Sequence, residues 1–137
     1  MIKGIQISDA TGVPFYTKIG PSIGDFESTI LSGLISAIGN MSNVLFQKEV
    51  ASISFGSGAN TNNIFIISKE IHDTRKKIYF VFFVDGQEDI KILRRMATTI
   101  FIHTKEILKH KSSEFRYIST RIDKVFSSQF AELALVR

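Results

Sequence analysis

Seven consecutive apolar residues, Ile78 to Val84 (IYFVFFV), constrain the fold of this chain more than any other segment. Ile, Val, Tyr and Phe favour extended strands. A strand that is apolar at every position must be covered on both faces of its sheet. The segment therefore predicts a buried central strand, ended by Asp85-Gly86. Its alternate residues face opposite sides: Phe80, Phe82 and Val84 on one, Val81 and Phe83 on the other.

Four other segments have the composition of strands and are joined by short connections. Asp9 to Gly12 predicts a tight turn, because Asp bonds its own backbone and Gly accepts a positive φ. His72 to Lys77 is a polar connection of hairpin length. Short connections imply a five-stranded, mostly antiparallel sheet. The four additional strands are Ile2 to Ser8, Val13 to Ile19, Val50 to Phe55 and Ile64 to Ile71.

The stretch from Ser28 to Gln47 carries no charged residue, although 22% of the chain is charged. Its many Ser and Asn residues exclude a membrane span, and its position well inside the chain excludes a signal peptide. At about 100° per residue it forms an amphipathic helix. We expect the apolar face of this helix to point inward; its members are Phe26, Ile30, Leu34, Ala37, Ile38, Met41, Val44 and Leu45.

The opposite face of this helix is small and neutral, whereas solvated helix faces usually carry Glu, Lys and Arg. Two interpretations remain open. In the first, the helix belongs wholly to its own domain, where it is either buried on both sides or exposes a Ser-rich face to solvent. In the second, its small face packs against a helix of another subunit. The second interpretation predicts a protein interface formed by Thr29, Ser32, Gly33, Ile35, Ser36, Gly39, Asn40 and Asn43.

Two further helices are predicted to close the chain. Asp89 to His110 places apolar residues at steps of three and four, and Ser113 is a candidate cap for a helix that continues to the C-terminus. The resulting order is β-β-α-β-β-β-α-α. One helix on one sheet face and two on the other give a three-layer α/β/α sandwich of the α+β class, within a single domain spanning residues 1–137.

Three segments resemble the longin family, within the longin/roadblock superfamily. IKGIQISDATGVPFY is similar to the opening strand, turn and return of these domains, and SGLISAI and VFFVDGQED are similar to their helix and strand-turn segments. The element order is that of the longin fold, and a chain beginning with a strand favours longin over roadblock. Because the sequence ends without a coiled-coil motif or anchor, the resemblance predicts a free-standing longin domain.

The longin resemblance implies a non-catalytic regulatory scaffold. Such a domain would dimerise, or pair with another longin or roadblock subunit, and bind a small Ras-like GTPase or components of vesicle trafficking. The implied location is cytoplasmic, at most peripheral to membranes. The alternative function is a sensory module holding a small apolar ligand, which would need an oversized pocket lined by Phe80, Phe82 or Phe101.

Catalytic and cofactor chemistry is not predicted. The chain has no Cys, and FGSGANTNN (residues 55–63) lacks the Lys and following helix of a phosphate loop. His103 and His110 are seven residues apart, whereas ligands sharing a metal on a helix are four apart. No nucleophile elbow or carboxylate pair is apparent. We therefore expect no enzyme activity, metal or cofactor.

The formal charge of +4 is mildly basic. One cluster is Arg75, Lys76 and Lys77, and a second surrounds Lys105 to Lys111. Each is a solvated turn or helix end, or else a weak contact with an acidic partner or an anionic membrane. Neither cluster has interleaved aromatic residues that would stack on bases, so nucleic-acid binding is not predicted.

Overall fold

The computed structural model describes residues 2–19, 28–47, 52–56, 61–72, 75–86, 89–109, 120 and 122–124. The elements are β1 (Ile2–Asp9), β2 (Pro14–Ile19), α1 (Ser28–Phe46), β3 (Ser52–Phe55), β4 (Asn62–Ile71), β5 (Lys76–Asp85) and α2 (Ile90–Lys109). Residues 120 and 122–124 are helical. The rest of the predicted C-terminal helix, and the predicted cap at Ser113, lie outside the described residues.

The five strands form one antiparallel sheet with the order β2-β1-β5-β4-β3. The apolar run IYFVFFV lies in β5, at the centre, as predicted. Phe82 pairs with Ile5 of β1 on one side and with Phe65 of β4 on the other. Three pairings are between strands consecutive in sequence: β1–β2, β3–β4 and β4–β5. The fourth, β1–β5, joins the two strands that precede α1 to the three that follow it. The predicted fold class is confirmed.

The two faces of β5 support two separate cores, with the predicted alternation. Phe80, Phe82 and Val84 pack on the side of α2, together with Ile5 and Ile7. Four α2 side chains complete this larger core: Leu93, Met96, Ala97 and Ile100. Val81 and Phe83 face the other side, where α1 contributes Ile35. The sheet therefore lies between helical layers, and the α1 layer has the smaller core.

Candidate functional site

Helix α1 is attached to the sheet largely by small and polar residues. Ile35 is its one large apolar side chain that is almost fully buried among the described residues, at 2% exposure. Ser32, at 1% exposure, donates its hydroxyl to the carbonyl oxygen of Gly12 at 2.5 Å. Ser36 donates its hydroxyl to the carbonyl oxygen of Ala10. The seryl hydroxyls thus satisfy backbone carbonyls of the β1–β2 turn, which strand pairing leaves free.

The β1–β2 turn is shaped to receive this face of α1. Gly12 has a φ of +93°, which favours Gly. A Cβ at Gly12 would lie 3.2 Å from the Cα of Gly33, so the two backbones are close. Asp9 fixes the turn by accepting hydrogen bonds from the backbone N–H groups of Thr11 and Val13 at 2.9 and 3.0 Å. Small residues on α1 therefore serve contact with its own domain.

Six of the large apolar side chains of α1 point to solvent. We call them the apolar outer face of α1. Val44 is 80% exposed, and every member of the set is more than half exposed. The set comprises Ile30, Leu34, Met41, Val44 and Leu45, which share one side of the helix at about 100° per residue, and Phe46 at its C-terminal end.

The predicted orientation of α1 is consequently wrong. The residues expected to face inward largely face outward, and Ser32, Ile35 and Ser36 face the sheet or the turn. The reason is physical: neither face carries a charge, so desolvation did not exclude the small face from the interior. Hydroxyl groups aligned with free carbonyls favoured it. Other residues predicted on the small face are exposed, namely Gly33, Asn40 and Asn43, while Gly39 is half-buried.

Two residues predicted for this helix lie outside the described residues: Phe26 as a whole, and Thr29 in its side chain. The sequence does contain a signal for the outer face, because the helical spacing places Ile30, Leu34, Met41, Val44 and Leu45 on one apolar face. The same spacing places Phe46 at the margin of the small face. The direction of that stripe was the missing information.

The structure divides the predicted basic cluster between two sides of β5. Arg75 is exposed in the β4–β5 turn, with a φ of +54°. The Lys76 ammonium lies 5.1 Å from the centroid of the Phe15 ring, which belongs to the α2-side core. Lys77 instead lines a small cavity with Asn40 and Asn43 of α1. Arg75, Lys76 and Lys77 therefore do not form one continuous patch.

The region where the alternative sensor function would require a ligand pocket is filled by side chains. Phe80 and Phe82 are fully buried. Phe101 packs edge-on against Phe80, with ring centroids 6.4 Å apart. A separate open groove of about 380 Å³ lies near the C-terminal end of β5. Its lining residues include Phe55, Asn62, Ile64 and Phe83. No sequence pattern predicts this groove, because its shape depends on where the strands end.

Tyr16 joins strand β2 to the C-terminal helical residues. Its hydroxyl donates to a carboxylate oxygen of Asp123 at 2.8 Å, and the Lys18 ammonium lies 3.4 Å from the same oxygen. Burial, with the hydrogen bond and the charge of Asp123, raises the pKa of Tyr16 well above its ordinary value. The hydrogen bond keeps Tyr16 as a neutral phenol. We call this link between β2 and the C-terminal helical residues the polar tie, and its role is structural.

Over the described residues, no group of three His, Asp or Glu side chains is placed to hold a metal ion. None of the helices in that part of the chain is both long and apolar enough to cross a membrane.

Comparison with known proteins gives structural similarity alone. No family model matches the sequence, and no curated protein matches it. Myxococcus xanthus MglB is similar over 93% of this chain and 85% of its own, with 14% identity and a TM-score of 0.42. The Roadblock/LC7 domain from Streptomyces avermitilis is similar over 80% of this chain and 87% of its own, with 9% identity and a TM-score of 0.47. The observed order β-β-α-β-β-β-α, followed by helical residues 122–124, agrees with the order of elements predicted from the sequence.

Proposed function

We propose that this chain is a non-catalytic regulatory scaffold that dimerises through the apolar outer face of α1 and binds a small Ras-like GTPase. The observation that carries the dimer is the exposure of six large apolar side chains on one uncharged helix. Contiguous exposed apolar surface usually marks an interaction site, because leaving it in water is unfavourable.

The composition of this face favours another protein as its occupant. Met41 and Phe46 are residue types enriched in interfaces, and the stretch from Ser28 to Gln47 has no charged residue to desolvate. A second copy of the chain is a suitable partner, since an uncharged face contacts itself across a two-fold axis without like-charge repulsion. A different longin or roadblock subunit with a similar helix would be accommodated by the same chemistry.

Strand β3 supports the same location for the interface. It is the last strand of the sheet order, so its outer edge is unpaired within the described sheet. Ile53 of β3 packs in the same cluster as Ile35 of α1, which places both elements on one side of the molecule. Phe55 is 53% exposed. A partner covering α1 could also protect this edge from unwanted strand pairing.

The GTPase assignment is implied by the longin resemblance. A scaffold needs no catalytic residue: it acts by binding one nucleotide state of its partner more tightly and so shifting populations. Arg75 and Lys77 are cations at or near the β4–β5 turn, and cations near a docking surface accelerate association with an acidic partner. We therefore expect no binding or hydrolysis of GTP by this chain alone.

Sedimentation velocity of the full chain tests the dimer. We expect the unmodified protein to sediment as a dimer at tens of micromolar and a Leu34→Glu, Val44→Glu variant to sediment as a folded monomer. The matched control is Ile102→Glu. Ile102 is also an exposed aliphatic side chain, at 60% exposure, but it lies on α2. A wild-type monomer at high micromolar concentration, or equal dissociation by the control, would contradict the proposal.

The GTPase is tested separately. Calorimetry with GTP alone should show no heat of binding, and titration with candidate Ras-like GTPases should show a preference for one nucleotide state. Tight binding of GTP by the chain itself would exclude the scaffold mechanism. If dimerisation holds while every GTPase fails, the dimer stands and the regulatory partner must be of another class.

A further inference from the structure

Helix α2 presents a surface quite unlike that of α1. Five of its residues are buried against the sheet: Leu93, Met96, Ala97, Ile100 and Thr104. The opposite side occupies an arc of about 100° around the helix axis at ~100° per residue. We call this side the basic face of α2; it consists of Lys91, Arg94, Arg95, Thr98, Ile102 and Lys105.

Four of the six side chains on the basic face are cations. Lys91, Arg94, Arg95 and Lys105 are all exposed, and within the described part of the chain none of them pairs with a carboxylate. They extend about 21 Å along the axis at ~1.5 Å per residue. This local excess belongs to a wider asymmetry: nine of the 17 Lys and Arg residues lie between Ile90 and Lys124, against three of the 13 Asp and Glu residues.

Ile102 lies on the basic face between Thr98 and Lys105 and is 60% exposed. The core beneath α2 does not use this side chain, since buried contacts come from the other side of the helix. An exposed apolar residue on a cationic helix face adds to membrane-surface binding, because such binding grows with the buried apolar area and with attraction to anionic lipids. Long cationic side chains keep their charge at the lipid headgroups while their methylene stems follow the apolar residue inward.

We propose that the basic face of α2 binds the surface of a bilayer that contains anionic phospholipids. Nucleic acid is a poorer match, because the described residues of this arc include no aromatic ring for base stacking. An acidic protein would satisfy the cations but gives no particular use for the exposed Ile102 among them. The face lies on the opposite side of the sheet from α1, so its occupation does not depend on the dimer or on the GTPase.

The expected binding is weak, reversible and sensitive to salt. A Lys or Arg near an anionic membrane changes the partition coefficient about fivefold. Loss of two such cations should therefore lower it about 25-fold. Ionic strength near 0.5 M should abolish most of the attraction, since screening lengths become shorter than the separation of the charges.

Vesicle co-sedimentation of the full chain tests this proposal. Vesicles of phosphatidylcholine with about 30% phosphatidylserine should bind the protein at low salt, whereas pure phosphatidylcholine should bind it at least tenfold less. Arg94→Gln with Arg95→Gln should lower binding about 25-fold, and Ile102→Ser about fivefold through lost apolar contact. Thermal melting should show that the variants remain folded, because all three residues are exposed.

The matched control removes two cations from outside α2. Lys3→Gln with Arg75→Gln changes the net charge equally and should lower vesicle binding less than threefold. Equal loss in this control would mean that net charge, and not the basic face, causes binding, which would overturn the proposal. Equal binding to neutral vesicles would also overturn it. So would failure on anionic vesicles combined with salt-sensitive binding to duplex RNA or to an acidic protein.

Discussion

Helices α1 and α2 cover opposite faces of one sheet by opposite means. Helix α2 buries Leu93, Met96 and Ile100 completely and turns its cations to solvent. Helix α1 turns the hydroxyls of Ser32 and Ser36 to the β1–β2 turn and leaves its largest apolar residues outside. The same sheet therefore has one face covered by a large apolar core and one covered by a smaller apolar core, to which seryl hydrogen bonds add attachment.

The difference shows what determines the direction of an amphipathic helix. In α2 the charges decide, since burying an unpaired Lys or Arg is prohibitively unfavourable. In α1 both faces are neutral, so either can be buried at moderate cost. The decision then falls to local fit: small residues allow close approach to Gly12, and hydroxyls find free carbonyl oxygens. Amphipathicity separates the faces of a helix without saying which one is inside.

The largest expected effect compares the two cores directly. Phe82→Ala should lower the free energy of unfolding by ~3–5 kcal/mol, the range for truncating a large buried aromatic. Phe82 is fully buried on the α2 side. Phe83→Ala should have a smaller effect, because Phe83 lies on the α1 side beside the open groove. Urea unfolding followed by circular dichroism measures both variants. A loss below 1 kcal/mol for Phe82→Ala, or a larger loss for Phe83→Ala, would contradict this ranking of the cores.

The sequence was sufficient for the elements whose pattern has a single solution. IYFVFFV could only be a central strand, and the charged side of α2 could only be outside. The described part of β3 is Ser52–Phe55, and the predicted start of this strand at Val50 lies outside the described residues. The orientation of α1 and the separation of Lys76 from Lys77 could not be predicted, since both depend on contacts between segments distant in sequence.

The second prediction tests whether hydroxyl groups attach α1. Ser32→Ala should destabilise the fold by ~1–2 kcal/mol, because the Gly12 carbonyl loses its donor in a nearly water-free position. The matched control is Asn40→Ala, an exposed polar residue on the same helix, which should change stability by less than ~0.5 kcal/mol. Denaturant titration of both variants provides the measurement. If the two are equivalent, the inward face of α1 has been assigned incorrectly.

The third prediction concerns the polar tie on the α2 side of the sheet. Folding raises the pKa of Tyr16, so the folded state holds the phenolic proton more tightly than the unfolded state. This contribution is fully present below the unfolded pKa of ~10 and is lost as the pH rises above it. Between pH 9 and 11, stability should fall about 1 kcal/mol more in the wild type than in Tyr16→Phe.

Asp123→Asn is the control for the tie between Tyr16 and Asp123. It keeps a hydrogen-bond acceptor beside the Tyr16 hydroxyl and removes the carboxylate charge that helps to raise the pKa of Tyr16. Its alkaline loss should therefore lie between those of the wild type and Tyr16→Phe. Stability measured by urea unfolding at several pH values checks this order. Parallel pH profiles for the wild type and Tyr16→Phe would show that the phenol gains nothing from folding.

The smallest effect should have the opposite sign. Gly33→Ala should stabilise the fold by ~0.5–1 kcal/mol, because Ala favours helix and restricts the unfolded chain. A Cβ at Gly33 would meet no atom within 4 Å, although the Cα of the same residue lies against the β1–β2 turn.

Gly12→Ala is the complementary change on the other side of this contact, and it should be destabilising, because Gly12 has a positive φ and its Cβ would press on Gly33. Thermal unfolding at a concentration low enough to keep the chain monomeric separates folding from self-association. If Gly33→Ala instead destabilised the monomer, the added methyl group would have to clash with the β1–β2 turn. The inward face of α1 would then be rotated away from Ser32 and Ser36.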